Sequence, residues 1–147
     1  MRLLDCLNER VIDMKKYIVF TFILGLLSFF LPFFPATNNH FENTQLLGFQ
    51  YVVKYGLRLY FVVLIVLLVN YFTINERYVR YKKVIPLLIT IAIFGAYGGL
   101  AFSQFLIGGI QRGLMVLGDY SFGYFISFAL FLIFNVLVCI DAYKKGD

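Results

Sequence analysis

Val84–Ile107, VIPLLITIAIFGAYGGLAFSQFLI, carries no charged side chain. A helix over this run rises roughly 36 Å at about 1.5 Å per residue, more than the ~30 Å hydrocarbon core of a bilayer. Pro86 falls in its first turn, where the missing backbone donor has no intrahelical partner to lose. The stretch therefore reads as a transmembrane helix. Three more uncharged runs accompany it. Downstream lies Phe122–Ile140 (FGYFISFALFLIFNVLVCI), closed by the polar tail DAYKKGD. Upstream lies Leu59–Ile74 (LYFVVLIVLLVNYFTI), which extends back to Tyr55 if Arg58 snorkels to the headgroups. The first run is Tyr17–Phe34 (YIVFTFILGLLSFFLPFF), with Pro32 and Pro35 at its far end, where proline stops a helix. The expectation is an all-α membrane protein. A single integral domain, residues 1–147, forms a four-transmembrane-helix bundle with spans at about 17–34, 55–74, 84–107 and 122–140 after a leader, 1–16.

Composition agrees. Hydrophobic residues make up 61% of the 147 positions and charged residues 14%, with mean hydropathy +0.83, too apolar for an ordinary soluble domain. The net charge of +5 does not point to nucleic acid, because the basic residues sit at the margins of apolar runs and not on one water-facing surface. They read as a topology signal. Arg2, Arg10, Lys15 and Lys16 precede the first span; Arg77, Arg80, Lys82 and Lys83 lie between the second and third; Lys144 and Lys145 follow the fourth. Only Lys54, Arg58 and Arg112 occupy the other two connections, so both termini are expected in the cytoplasm. The abundance of Phe, Tyr, Ile, Asn and Lys, all encoded by A+T-rich codons, suggests a bacterium and hence its cytoplasmic membrane.

The N-terminus invites a second reading. Met14-Lys15-Lys16 before an apolar run has the form of a secretory signal, and Met14 is also a candidate start. The run exceeds a usual signal core and ends in Phe33-Phe34-Pro35 without an Ala-x-Ala site, which favours a retained helix. Leu3, Leu4, Leu7 and Val11 lie at helical spacing opposite Asp5, Glu9 and Arg10, as in an amphipathic interfacial turn.

Few residues remain for chemistry. Cys6 and Cys139 both fall on the expected cytoplasmic side and form no Cys-x-x-Cys pair, so neither a disulfide nor quinone-linked thiol chemistry is expected. His40 is the one histidine, which leaves a bis-histidine haem without its second ligand. With Glu42 it forms at most a weak cation site or a pH-dependent contact in an outer loop. Ser28, Ser103 and Ser127 have no histidine or aspartate at membrane depth to activate them. No catalytic, cofactor-binding or metal residue is assigned, and the expected partners are the lipid bilayer and either another membrane protein or further copies of the chain.

In length and span count the chain resembles the small multidrug exporters, which work by a carboxylate embedded in the membrane. No Asp or Glu lies inside any of the four runs, and their amides are Asn70, Gln104 and Asn135. Such groups usually make interhelical hydrogen bonds of order 1 kcal/mol. In the third span Ala92, Gly95, Gly99 and Ser103 recur at intervals of three or four, a bare face that lets helix backbones approach in lipid. That face packs either inside the bundle or against another subunit.

The outer loops supply the other candidates. Phe49, Tyr51, Val53 and Tyr55 alternate with Gln50, Val52, Lys54 and Gly56, which fits a short extended segment or an early start of the second helix. Tyr51 and Tyr55 are the candidate contacts there. The last loop, GGIQRGLMVLGDYSFG (108–123), has an apolar centre able to dip toward the membrane. The longer first loop and shorter second resemble the layout of tetraspan junction proteins. Glu76-Arg77 is similar to the Glu-Arg pair of the membrane glutathione-transferase superfamily, although Tyr81 stands where that family has an asparagine. The expected function is contact-making without catalysis, as an accessory subunit of a membrane complex or an immunity-type protein. A small homo-oligomeric transporter or channel is the alternative, and a glutathione-transferase-like enzyme a remote one.

Overall fold

The computed structural model describes the backbone of residues 2–37, 43–74 and 79–144, and side chains within 14–35, 44–74 and 80–144. Helix α1 (Arg2–Leu27) takes in most of the expected leader and continues without a break into the first apolar run. It ends earlier than the run does. A 3-10 turn, Ser28–Phe30, follows; Leu31 is extended, as a residue before proline must be, and Pro32 opens strand β1 (Pro32–Thr37). The first apolar run thus gives up its last seven positions to a turn and a strand. β1 pairs antiparallel with β2 (Asn43–Leu47) in a two-stranded sheet, with Phe34 opposite Leu46, Thr37 opposite Asn43 and an irregularity between Pro32 and Phe34.

The alternating segment that fits a strand is helical, forming α2 (Gly48–Lys54). Two local features account for this. The Leu47 N–H donates to Gln50 Oε1 at 3.2 Å, which caps the first turn. Gly48 lies so close to the Phe29 backbone and the Phe33 ring that a Cβ would sit 2.7 Å from each, pinning the start of α2 against the end of α1. Gly56, at φ +69°, then turns the chain, and α3 (Arg58–Thr73) leaves α2 at 111°.

Helix α4 (Val79–Asp119) outruns its expected span. Most of the last expected loop is helical, continuing to Asp119 past a break at Gly109, whose φ of 75° and ψ of −176° only glycine adopts at low cost. Beyond the break Gly113 packs directly on the Phe105 ring, which folds the outer segment back onto the helix it extends. A two-residue link leads to α5 (Phe122–Lys144). Among the described residues two helices are long and apolar enough to cross a membrane, α4 over Arg80–Asp119 and α5 over Phe122–Lys144; the bent α2–α3 pair is a third if it counts as one span.

The core is a seam of buried positions on each helix. On α5 it runs Tyr124, Ser127, Phe131, Phe134, Val138, Asp141, in alternating steps of three and four, and on α4 it runs Lys82, Ile85, Ile89, Ala92, Ala96 with the same steps. This period keeps one face toward neighbouring helices along the whole length. Phe131 is the hub. It is fully buried and meets the rings of Phe22 on α1, Phe29 in the 3-10 turn, Phe61 on α3 and Tyr97 on α4, while a Cβ on Gly25 of α1 would sit 3.0 Å from its ring. α1 and α4 run antiparallel to α5, and α3 runs parallel to it. The hairpin, α2 and the α4–α5 link thereby gather at one end of the bundle, and the start of α4 and the end of α5 at the other.

Candidate functional site

Among the described residues, the buried polar side chains other than Ser28, which donates to Gly25 O at 2.6 Å, form three groups along the inner face of α5. At the hairpin end, the Tyr51 and Tyr120 hydroxyls share a hydrogen bond of 2.6 Å, and the Tyr120 ring stacks on Tyr124 at 3.7 Å. Phe34 of β1 packs edge-on against Tyr120, and Phe33 packs edge-on against Tyr124. Burial pushes the Tyr120 phenol above its ordinary range, so the pair is two neutral hydroxyls with one donating to the other. The cluster locks β1, α2 and the start of α5 together. Backbone contacts reinforce it: Ser121 N–H donates to Phe33 O at 2.8 Å, and a Cβ on Gly123 would meet Pro32 O at 2.5 Å.

In the middle, Tyr124 donates its hydroxyl to the Tyr97 carbonyl, and the Tyr97 hydroxyl is bonded to Ser127. One helical turn beyond Phe131, Asn135 Nδ2 donates to Thr90 Oγ1 at 2.7 Å, and Thr90 in turn donates to Pro86 O at 2.8 Å. Asn135 Oδ1 is buried without a partner among the described residues. These bonds tie α4 to α5, the pair that interhelical hydrogen bonding in lipid requires.

At the opposite end, Tyr71 of α3 donates to Asp141 Oδ2 of α5 at 2.6 Å. Asp141 is 3% exposed, and the buried Lys82 of α4 places its Nζ 4.9 Å from the centre of the Tyr71 ring. One tyrosine thus bridges a carboxylate on one helix and an ammonium on another. A charged acceptor strengthens the hydrogen bond, and the ring face attracts the cation. The sequence places Asp141 in a polar tail, whereas the structure carries it inside α5 on the buried seam.

The residues singled out by sequence do not form one site. Asn135 meets Thr90 across a helix interface, but Asn70 is exposed and donates to Val66 O of its own helix, and Gln104 is half-buried on α4. The small-residue face of α4 divides. Ala92 is buried in the core; Gly95 lies under the Tyr60 ring of α3, where a Cβ would be 2.5 Å from Cε1; Gly99 has nothing within 4 Å of a Cβ; and Ser103 donates to Leu100 O. Gly98 is equally open, and with Gly99, Tyr60, Phe94 and Phe102 it lines an apolar groove of about 480 Å³. Tyr51 is buried in the hairpin-end cluster, and Tyr55 packs half-buried against it and Phe34. His40 and Glu42, and with them Glu76-Arg77, lie outside the described residues.

Tyr71, Lys82, Tyr97 and Asp141 carry much of the buried polar structure, yet the sequence does not mark them as a set. The one available signal was Tyr97, a phenol at mid-span, away from the interfaces where tyrosine usually anchors. Among the described residues no three His, Cys, Asp or Glu side chains gather into a metal-binding group. No family model matches the chain, no curated protein is similar to it, and no solved structure matches its fold.

Proposed function

We propose that the chain is a four-span protein of the bacterial cytoplasmic membrane, with both termini in the cytoplasm, that works through contacts with another membrane protein and not through catalysis. It fits an accessory subunit of a membrane complex or an immunity-type protein. The observation that carries this reading is the open half of the small-residue face on α4. Gly95 is filled by Tyr60 from within the chain, while Gly98 and Gly99 leave backbone bare in an apolar groove. Bare helix backbone in lipid is what close helix association uses.

Purification in mild detergent from the native membrane tests it. A different membrane protein recovered in stoichiometric amount, and lost with Gly99→Leu, supports the reading; a lone monomer that retains its biological effect sinks it. A small homo-oligomeric transporter is the second reading. Asp141 favours it, as a carboxylate buried in a helix and held by a phenol. Substrate-dependent flux in proteoliposomes that Asp141→Asn abolishes would establish this alternative in place of the first.

A further inference from the structure

Helix α1 buries Ile18 and sets Phe22 and Gly25 against Phe131 of α5. Its opposite face is exposed. Lys16, Phe20, Ile23, Leu27 and, in the 3-10 turn, Phe30 follow one another in steps of four and three, with Lys15 and Val19 in the adjoining row, and all seven are exposed. This spacing holds them on one stripe, headed by lysine and apolar at every later position. From Val19 to Phe30 the stripe runs roughly 17 Å at about 1.5 Å per residue, close to the ~15 Å that one leaflet contributes to a ~30 Å hydrocarbon core. At its lysine end lies an open groove of about 520 Å³, lined by Lys15, Lys16, Val19, Phe20 and Ile23 and by no acidic side chain among the described residues. At the same end of the bundle Lys82 and Lys83 lie against aromatic rings, 4.9 Å from the centre of Tyr71 and 5.5 Å from that of Tyr143, whereas Lys15 and Lys16 line the groove.

We propose that this groove binds an anionic phospholipid, its phosphate held by the Lys15 and Lys16 ammonium groups and one acyl chain running down Val19, Phe20 and Ile23 toward Phe30. Each lysine lays its apolar stem along the groove and brings its charge to the level of the headgroups. The ammonium is a point charge on a flexible stem, which suits a phosphodiester. Charge decides between occupants. A zwitterionic headgroup brings its own ammonium to the two lysines, and a second copy packed on the same face about a two-fold axis brings two more lysines. A partner helix would have to place carboxylates at this one level. A net-negative lipid supplies charge and chain together, at the depth where the uncharged run of α1 begins. The inference goes beyond protein contacts to a lipid class, and it rests on the proposed function for the placing of α1 in the bilayer.

A fluorophore on Leu27→Cys, in the full chain without Cys6 and Cys139 and reconstituted into nanodiscs, reports the lipid on this stripe through quenching by brominated acyl chains. Brominated phosphatidylglycerol is compared with brominated phosphatidylcholine, which has the same chains and no net charge. A preference of about tenfold for phosphatidylglycerol is expected at about 0.1 M salt, falling to within about twofold in Lys15→Gln/Lys16→Gln. The same fall is expected for the unaltered lysines at about 1 M salt, where charge is screened over about 3 Å, so the loss cannot come from misfolding. Arg80→Gln/Lys83→Gln changes the net charge equally on α4 and should keep the preference. Equal quenching by the two lipids overturns the proposal. So does a preference that survives the Lys15 and Lys16 substitutions or high salt, or one that the α4 control abolishes as well. Those outcomes leave α1 in the membrane. Quenching by neither lipid takes α1 out of the bilayer, and the four-span reading falls together with the site.

Discussion

Asp141 has surrendered nearly all of its water, and the Tyr71 hydroxyl at 2.6 Å is a donor that replaces it. Tyr71→Phe removes that donor at almost constant volume and leaves the carboxylate buried. We expect a loss of about 1.5–3 kcal/mol, measured by denaturant unfolding in detergent, as for other hydrogen bonds to charged groups. An unchanged midpoint would mean that solvent serves Asp141 equally well. Tyr97→Phe takes away a bond between neutral hydroxyls and should cost about 1 kcal/mol or less, the usual worth of interhelical bonds in lipid. The ordering of the two variants, Tyr71 above Tyr97, is itself the check. Neither partner of Tyr71 was legible as such in the sequence. A phenol near an apolar boundary reads as an anchor and an aspartate followed by Lys144 and Lys145 reads as tail; only folding brings α3, α4 and α5 to one point.

At the level of elements, the two glycines of the α4 face should respond differently to the same substitution. Gly95→Leu drives the side chain into Tyr60 and should destabilise the α3–α4 interface by about 1–3 kcal/mol, as overpacking does. Gly99→Leu projects into open space, so the purified chain should unfold as before, while the proposed function has it lose association with a partner. Equal effects on unfolding would erase the distinction drawn between the halves of the face. Gly109→Val is the third case, because a β-branched residue rarely tolerates φ near +75°. The variant should either lose about 1–3 kcal/mol of stability or straighten the helix, which a spin-label distance between 100 and 117 would detect. Apolar runs were legible as helices wherever charge marked their ends. They misled at Phe33-Phe34, where proline and not polarity ends the helix, and over 110–119, where glycines suggest a loop yet an apolar segment folds back as helix.

On the scale of the whole molecule, the expected orientation can be checked by cysteine labelling in a background without Cys6 and Cys139. Gln45→Cys should react with a membrane-impermeant maleimide in intact cells, and Lys144→Cys only after permeabilisation. The reverse pattern would invert the topology and move the hairpin to the cytoplasm. Composition and the placement of charge are enough to make the chain a helical membrane protein and to mark where its apolar runs begin and end. Each charge buried in hydrocarbon costs some kcal/mol, so the uncharged runs are enforced residue by residue. Which face of each helix turns inward is another matter. Lipid tails are as apolar as Leu or Phe, so hydropathy cannot separate the seam through Phe131 from the side facing lipid. The seam, the three polar groups along α5 and the split in the glycine face all depend on shape and on hydrogen bonds across elements, and those exist only once the helices have packed.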